Sequence, residues 1–417
     1  MKFFLETYGC TANFGNSQEL GEALAELGCE RAPLAIADAV IVNTCAVTEK
    51  TERKILRRLR QIQSQRLIIG GCLPAALPDS IEGIECRKVT GILGRSAAQE
   101  IARLFREAPA VQTQSALPTR PDRCGIVNIA EGCAGMCSYC IVKKARGRLA
   151  SRGPEDVVDA VQRLVRSDTV EVQLAAQDTA AYGLDIGTSL PELLESIADL
   201  PGDFMIRVGM MNPNTAKPIL NELIHAFSRP KVYKFVHMPV QSGSDAVLER
   251  MCRGYRAEDY IKICQLLQEK FPSMSFATDV IVGFPGEGDE DFAKTMQLLE
   301  LTCPDKVNVT KYSKRPGTAA AELYDMPDRI KKDRSRRSTK QWLSIAGESN
   351  RKLVGSTMAV LVTEVGWGGC VKARDQNYTG VVVKGAHALA SLLKVRIVSS
   401  NPFYLTGLVA DSSGQAF

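Results

Sequence analysis

No stretch of this chain approaches ~20 uninterrupted apolar residues, so no membrane-spanning helix is expected. At the N-terminus the apolar run is only Phe3, Phe4 and Leu5 before Glu6, too short for a signal-peptide core, and the chain is expected to stay in the cytoplasm. No internal repeat or low-complexity tract stands out. Hydrophobic residues at 45% and charged residues at 24% exclude the compositions of disordered chains. Histidine is scarce: the only three, His225, His237 and His387, have no evident catalytic partner. Cysteine is plentiful by contrast. Thirteen of them, an odd number in a reducing compartment, do not read as a disulfide framework, which leaves metal ligation for some. A net charge of +5 over 417 residues says little about nucleic acid by itself; the placement of charge says more.

The length points to two or three units. Lys2 to Gly9, Ala39 to Thr44 and Leu67 to Gly71 read as short buried strands alternating with helical segments at Ser17 to Leu27 (Ser17 as a possible N-cap), Thr48 to Gln63 and Ser96 to Arg106. That alternation suits an α/β fold with a doubly wound parallel sheet over residues 1–107. Residues 108–121 gain proline, lose periodicity and read as a linker. Six strand candidates follow, Ile126 to Glu131, Val170 to Ala176, Phe204 to Met210, Lys234 to Met238, Ser275 to Val282 and Lys306 to Tyr312. With helices between them they suggest a partial (β/α)6 barrel over 122–328, whose working residues belong at the carboxyl ends of its strands. Residues 329–352 carry nine Lys or Arg against two acids and read as a basic amphipathic helix. Residues 353–417 change to short alternating strands separated by turns, which suits a small all-β barrel.

The strongest local signal is EGCAGMCSYC, with Cys133, Cys137 and Cys140 in C-x3-C-x2-C spacing after a strand. Three thiolates on one loop suit a four-iron cluster with one iron left open. Structural zinc would need a fourth ligand, and no histidine lies nearby. A second set, Cys10, Cys45 and Cys72, ends three strands alike, in TYGC, VNTC and IGGC. Separations of 35 and 27 residues match one β-α unit each, which would bring the three thiols to one carboxyl edge of a parallel sheet. Packing is the competing reading for a single buried cysteine. Cys29, Cys86, Cys124, Cys252, Cys264, Cys303 and Cys370 share no ligand spacing.

The loop resembles the cluster motif of the radical S-adenosylmethionine superfamily, including the aromatic Tyr139 before the last cysteine. That resemblance implies an open iron that chelates S-adenosylmethionine and cleaves it to a 5'-deoxyadenosyl radical. Across nearly the whole chain, CSYCIVKKARG, AAQDTAAYG, IRVGMMNP, KFVHMPVQSGSD, TDVIVGFPGE and YSKRPGT resemble the MtaB branch of the methylthiotransferases of archaea and eukaryotes. The family order is an N-terminal methylthiotransferase domain, a radical domain and a C-terminal TRAM barrel. Gly288 and Asp289, and AAQD, depart from the family's usual text. The resemblance implies two 4Fe-4S clusters, S-adenosylmethionine, an electron donor and the anticodon loop of tRNA. A monomer is expected, although no residue pattern sets the oligomeric state. It implies methylthiolation of N6-threonylcarbamoyladenosine at position 37. An isopentenylated adenosine, a ribosomal-protein aspartate, or a non-catalytic iron-sulfur RNA-binding role are the alternatives.

Gln177, Asp178, Arg207, Gln241 and Ser242, at ends of barrel strands, are candidate contacts to S-adenosylmethionine, with Gly283 admitting the adenine; capping and surface roles compete with each. Lys143, Lys144, Arg146 and Arg148 follow the cluster loop and are candidates to pair with RNA phosphates or the substrate's threonine carboxylate. A solvated charged face is the plainer reading of that run.

Overall fold

The first sheet is held together by apolar residues on both of its faces. In the computed structural model, which describes residues 1–62, 66–88, 91–106 and 123–410, its strands are β1 (Lys2–Thr7), β2 (Glu30–Arg31), β3 (Ala39–Thr44), β4 (Leu67–Gly71) and β5 (Arg87–Lys88). They are all parallel, in the order β2-β1-β3-β4-β5. Phe3, Leu5 and Ile41 pack toward α1 (Thr11–Glu26) and α4 (Ala98–Arg106), while Val40, Val42 and Ile69 pack toward α2 (Glu49–Gln61) and α3 (Cys72–Ala76). Helices on both faces make the sheet doubly wound, as its strand spacing predicts. One expectation fails locally: Ser17 is no N-cap. α1 begins earlier, with Cys10 as its N-cap, and the Ser17 hydroxyl is buried, accepting from Thr7 at 2.8 Å and Asn43 at 2.9 Å. Thr48 does cap α2, accepting from the Thr51 N–H at 3.2 Å. The linker expected at 108–121 lies outside the described residues, as do 411–417.

The barrel strands are β6 (Cys124–Asn128), β9 (Glu171–Ala175), β10 (Met205–Val208), β11 (Phe235–His237), β12 (Ser275–Val282) and β13 (Lys306–Lys311), with a small antiparallel pair, β7 (Ala130–Glu131) and β8 (Ala150–Ser151), after the first. Two parallel three-stranded sheets, β10-β9-β6 and β11-β12-β13, meet through parallel bridges between Ile206 and Val232 and between Met210 and His237. Six parallel strands thus curve into an open barrel. Its helices are α5 (Val142–Arg146), α6 (Pro154–Arg166), α7 (Leu190–Ala198), α8 (Pro213–Ala216), α9 (Leu220–Phe227), α10 (Asp245–Arg250), α11 (Ala257–Lys270) and α12 (Asp289–Thr302). Along the free edge at β6 lies α1 of the first unit: Asn128 Nδ2 donates to the Ala12 carbonyl at 3.1 Å, and Arg152 pairs with Glu19 at 2.9 Å.

Helix α13 (Asp328–Lys352) is basic but not uniformly solvated. Lys331 and Arg334 are buried, Arg334 against Glu287 and Asp289 and Lys331 against Asp325. The helix leads to a closed five-stranded barrel, β14 (Thr357–Val365), β15 (Cys370–Arg374), β16 (Gly380–Lys384), β17 (Leu392–Ser400) and β18 (Leu405–Val409), in the order β14-β15-β16-β18-β17. A turn of this barrel docks on the amino-terminal end of the six parallel barrel strands. Tyr378 donates to Glu171 at 2.9 Å and lies 4.9 Å from the rings of both Tyr233 and Phe235. Gln376 donates to the carbonyls of Pro230 (3.0 Å) and Val232 (3.1 Å). Among the described residues no helix is long and apolar enough to cross a membrane.

Candidate functional site

Strands β1, β3 and β4 run in step, with Thr7 opposite Asn43 and Thr44 opposite Gly71. Cys10, Cys45 and Cys72 therefore leave the sheet at a single edge, Cys72 as the first residue of α3. Asn13, in the first turn of α1, ties their loops together. Its Nδ2 donates to the carbonyls of Tyr8 (2.6 Å) and Thr44 (2.9 Å), and its Oδ1 accepts from the Cys72 thiol at 3.7 Å. Cys45 and Cys72 are buried and Cys10 is exposed. Burial pushes the Cys45 thiol up to about 11 and raises Cys72 too, and both thiols also feel Cys10, so the three lie within electrostatic reach of one another.

The second triad lies on the loop between β7 and α5. Its sulfurs are already addressed by donors: the Gly135 N–H points at Cys133 (3.3 Å), Arg253 Nη1 at Cys137 (3.3 Å), and the N–H groups of Val142 and Lys143 at Cys140. Burial raises the thiols of Cys133 and Cys140, with Cys137 adding its repulsion to each. A metal must displace those protons, after which the donors stabilise the thiolate charge. Among the described residues no group of three His, Cys, Asp or Glu side chains forms a site for a single metal ion. A four-iron cluster spreads its thiolates farther apart than one ion does. Three soft thiol ligands gathered from one loop set, with one iron left open, make a ligand set that fits such a cluster at each triad.

The two triads are neighbours. Helix α3, which begins at Cys72, packs on α5, which follows Cys140, and Ile141 shares one apolar cluster with Cys45 and Cys72.

Above the barrel the residues expected at a cofactor divide. Gln177 Oε1, Arg207 Nε and Gln241 Oε1 are buried polar atoms with no partner, a costly condition that a polar ligand in the barrel would relieve. Arg207 departs from expectation: it lies within its strand, Met205–Val208, and stacks over the rings of Phe235 and Tyr378 at 5.2 and 5.6 Å, at the barrel's amino-terminal base and away from the strand ends where a cofactor is expected. Tyr139 packs edge-on to Phe284, their centroids 6.2 Å apart, and burial raises its hydroxyl pKa. Asp178 is otherwise engaged, accepting from the Asn212 N–H at 3.0 Å and the Thr215 hydroxyl at 2.8 Å. Ser242 faces α12, 3.3 Å from the Thr295 hydroxyl. Gly283, at φ +72°, leaves room for helix α13: a Cβ there would lie 2.5 Å from Lys331 Cγ.

The basic run also divides. Lys144 and Arg148 are exposed, and Lys143 folds back onto the Gly135 carbonyl at 2.8 Å. Arg146 points the other way, into the seam with the first unit, where its side chain is 1% exposed beside Glu131. It donates to Asn13 and, at 2.9 Å, to Asn16. Sequence reasoning missed Asn13, Asn16 and Arg253. Asn13 stands three residues after Cys10, a spacing that one turn of helix folds back over the cysteine; Arg253 carried no local signal.

Comparison with known proteins agrees with this geometry. The Radical SAM superfamily matches residues 127–299, and the uncharacterized protein family UPF0004 matches residues 2–94. A probable threonylcarbamoyladenosine tRNA methylthiotransferase of Archaeoglobus fulgidus is 39% identical over 100% of both chains. The human threonylcarbamoyladenosine tRNA methylthiotransferase is 31% identical over 97% of this chain and 73% of its own. Among solved structures, a radical S-adenosylmethionine methyltransferase of Kitasatospora setae shares the fold, with a TM-score of 0.58 at 16% identity over 77% of each chain. With a relative this similar along its entire length, the chain belongs to the threonylcarbamoyladenosine tRNA methylthiotransferase family.

Proposed function

We propose that this chain is the tRNA methylthiotransferase that converts N6-threonylcarbamoyladenosine at position 37 to its 2-methylthio derivative. The observation that carries the reading is the adjacency of two three-cysteine sites, one at the carboxyl edge of an open sheet and one at the mouth of a radical-type barrel. Two 4Fe-4S clusters would be held by Cys10, Cys45 and Cys72 and by Cys133, Cys137 and Cys140. Bound there with S-adenosylmethionine, the clusters supply radical chemistry and the sulfur site.

The chain's own residues hold and orient. Gln177 and Gln241 offer open polar atoms to S-adenosylmethionine, and Tyr139 walls the loop. Arg253 neutralises charge at Cys137. Lys144 and Arg148, exposed beside the cluster loop, meet RNA phosphates or the threonine carboxylate, and Lys143 can join them by releasing Gly135. The division into units at 1–107, 122–328, 329–352 and 353–417 assigns sulfur transfer to the first, radical generation to the second and RNA affinity to the last two. An electron donor is the further partner required.

The test is the purified chain, reconstituted with iron and sulfide and given S-adenosylmethionine, a reductant and tRNA, with nucleosides read by mass spectrometry. The methylthio product should appear only on threonylcarbamoylated tRNA. Equal turnover of tRNA lacking that group would refute the substrate. Joint replacement of Cys10, Cys45 and Cys72 by alanine should lower iron by about half and abolish methylthiolation while 5'-deoxyadenosine still forms.

A further inference from the structure

A buried arginine needs a reason, because its charge is removed from water. Arg146 is 1% exposed at its side chain and comes from the radical unit, at the end of the short helix that follows Cys140. Yet two of its three partners belong to the first unit. Its guanidinium donates to the side-chain oxygens of Asn13 and Asn16, and the same Asn13 oxygen accepts from the Cys72 thiol at 3.7 Å. Asn13 also holds the loops before Cys10 and Cys45 by their carbonyls. The third partner, Glu131, is 33% exposed, so solvent screens part of its charge while the arginine's field falls on the buried thiols.

We propose that Arg146 and Asn13 are positioning residues for the N-terminal cysteine triad, Asn13 as the clip that sets its three loops and Arg146 as the counter-charge for the cluster it holds. The radical unit thereby completes the electrostatic surroundings of the other unit's cluster. A cluster on three thiolates is anionic, and one-electron reduction adds a further negative charge, so a nearby buried cation makes reduction easier. This inference rests on the reading that Cys10, Cys45 and Cys72 hold a cluster.

The experiment uses the full chain with Cys133, Cys137 and Cys140 replaced by alanine, so that any cluster seen is the N-terminal one. After reconstitution, iron is counted and the midpoint potential is followed by electron paramagnetic resonance in this parent and in R146Q, R146K and E131Q made on it. R146Q should move the midpoint to more negative potential, and R146K should stay near the parent. E131Q, which removes the opposing charge while keeping the shape, should move it to more positive potential by a smaller amount. Opposite shifts from two neighbouring substitutions are not produced by a loosened fold. Should R146Q lose its iron, the direction of the E131Q shift decides. Unchanged midpoints, or shifts of R146Q and E131Q in the same direction, would overturn the inference. A parent that binds no iron would instead refute the cluster reading beneath it.

Discussion

Gly9 precedes Cys10 with φ at +113°, and a Cβ there would lie 2.9 Å from both Asn13 Nδ2 and Cys45 Cβ. Neither neighbour is free to move: Asn13 is bonded on three sides and Cys45 is buried. The substitution G9A is therefore expected to lower iron loading by about half while leaving cleavage of S-adenosylmethionine intact; full iron content with normal methylthiolation would contradict the packing described. Asp305 makes a pH-dependent case. Burial pushes its pKa up to about 6, although the Phe276 N–H donates to it at 2.8 Å. With the folded pKa above the unfolded value of about 3.9, the folded state binds the proton more tightly. Its stabilisation is full below about pH 4 and is lost as pH rises through about 6. D305N keeps an acceptor for Phe276 and removes the charge, so at neutral pH it should raise stability by at most ~3 kcal/mol and flatten the thermal midpoint against pH. An unchanged slope would show that Asp305 is solvated after all.

At the scale of elements, α5 separates two jobs along five residues. Lys144, with Arg148 just beyond the helix, faces solvent, while Arg146 is turned into the seam. Replacing Lys144 and Arg148 together by alanine should weaken tRNA binding and lower the salt dependence of the binding constant by ~0.7 in logarithmic slope per lost phosphate contact, the single-strand value. The cluster signals should be unchanged. A salt titration that superimposes on the parent's would remove this helix from the RNA surface. The same helix shows what a sequence makes legible. Four basic residues within 143–148 advertise a basic run, and their placement beside Cys140 follows from chain continuity, but which of them turns inward depends on an asparagine over a hundred positions away. Strands were readable where apolar runs were long, as in Ala39–Thr44 and Ser275–Val282. Strand Cys370–Arg374 is harder to read, because Val371 and Ala373 alternate with Lys372 and Arg374 and form no apolar run. The three strand-end cysteines were visible because parallel register converts equal chain positions into neighbours. Strand ends point to Gln177 and Gln241, whose side-chain oxygens are left open, whereas Asp178 and Ser242, one residue on from each, have partners in α8 and α12 that no spacing announces.

On the scale of the whole molecule, the C-terminal barrel cannot be a detachable RNA handle. Tyr378 and Gln376 plug the base of the radical barrel through Glu171, Pro230 and Val232. Truncation after Arg351 should therefore reduce both tRNA affinity and 5'-deoxyadenosine formation, whereas Y378A in the full chain should reduce 5'-deoxyadenosine formation with tRNA affinity preserved. A truncated chain that cleaves S-adenosylmethionine as fast as the parent would show the plug to be dispensable.

That plug also sets a clock. Glu171 and Tyr378 are 207 residues apart in the chain, and at the usual pace of synthesis of ~5–20 residues per second the ribosome needs about 10–40 s to deliver the second after the first. The last strand of the radical barrel ends at Lys311, 67 residues before Tyr378, so for about 3–13 s of that interval the barrel is complete but unsealed at its base. During this window the base of the barrel core is open to water, so the radical unit should finish folding only once the C-terminal barrel has left the ribosome.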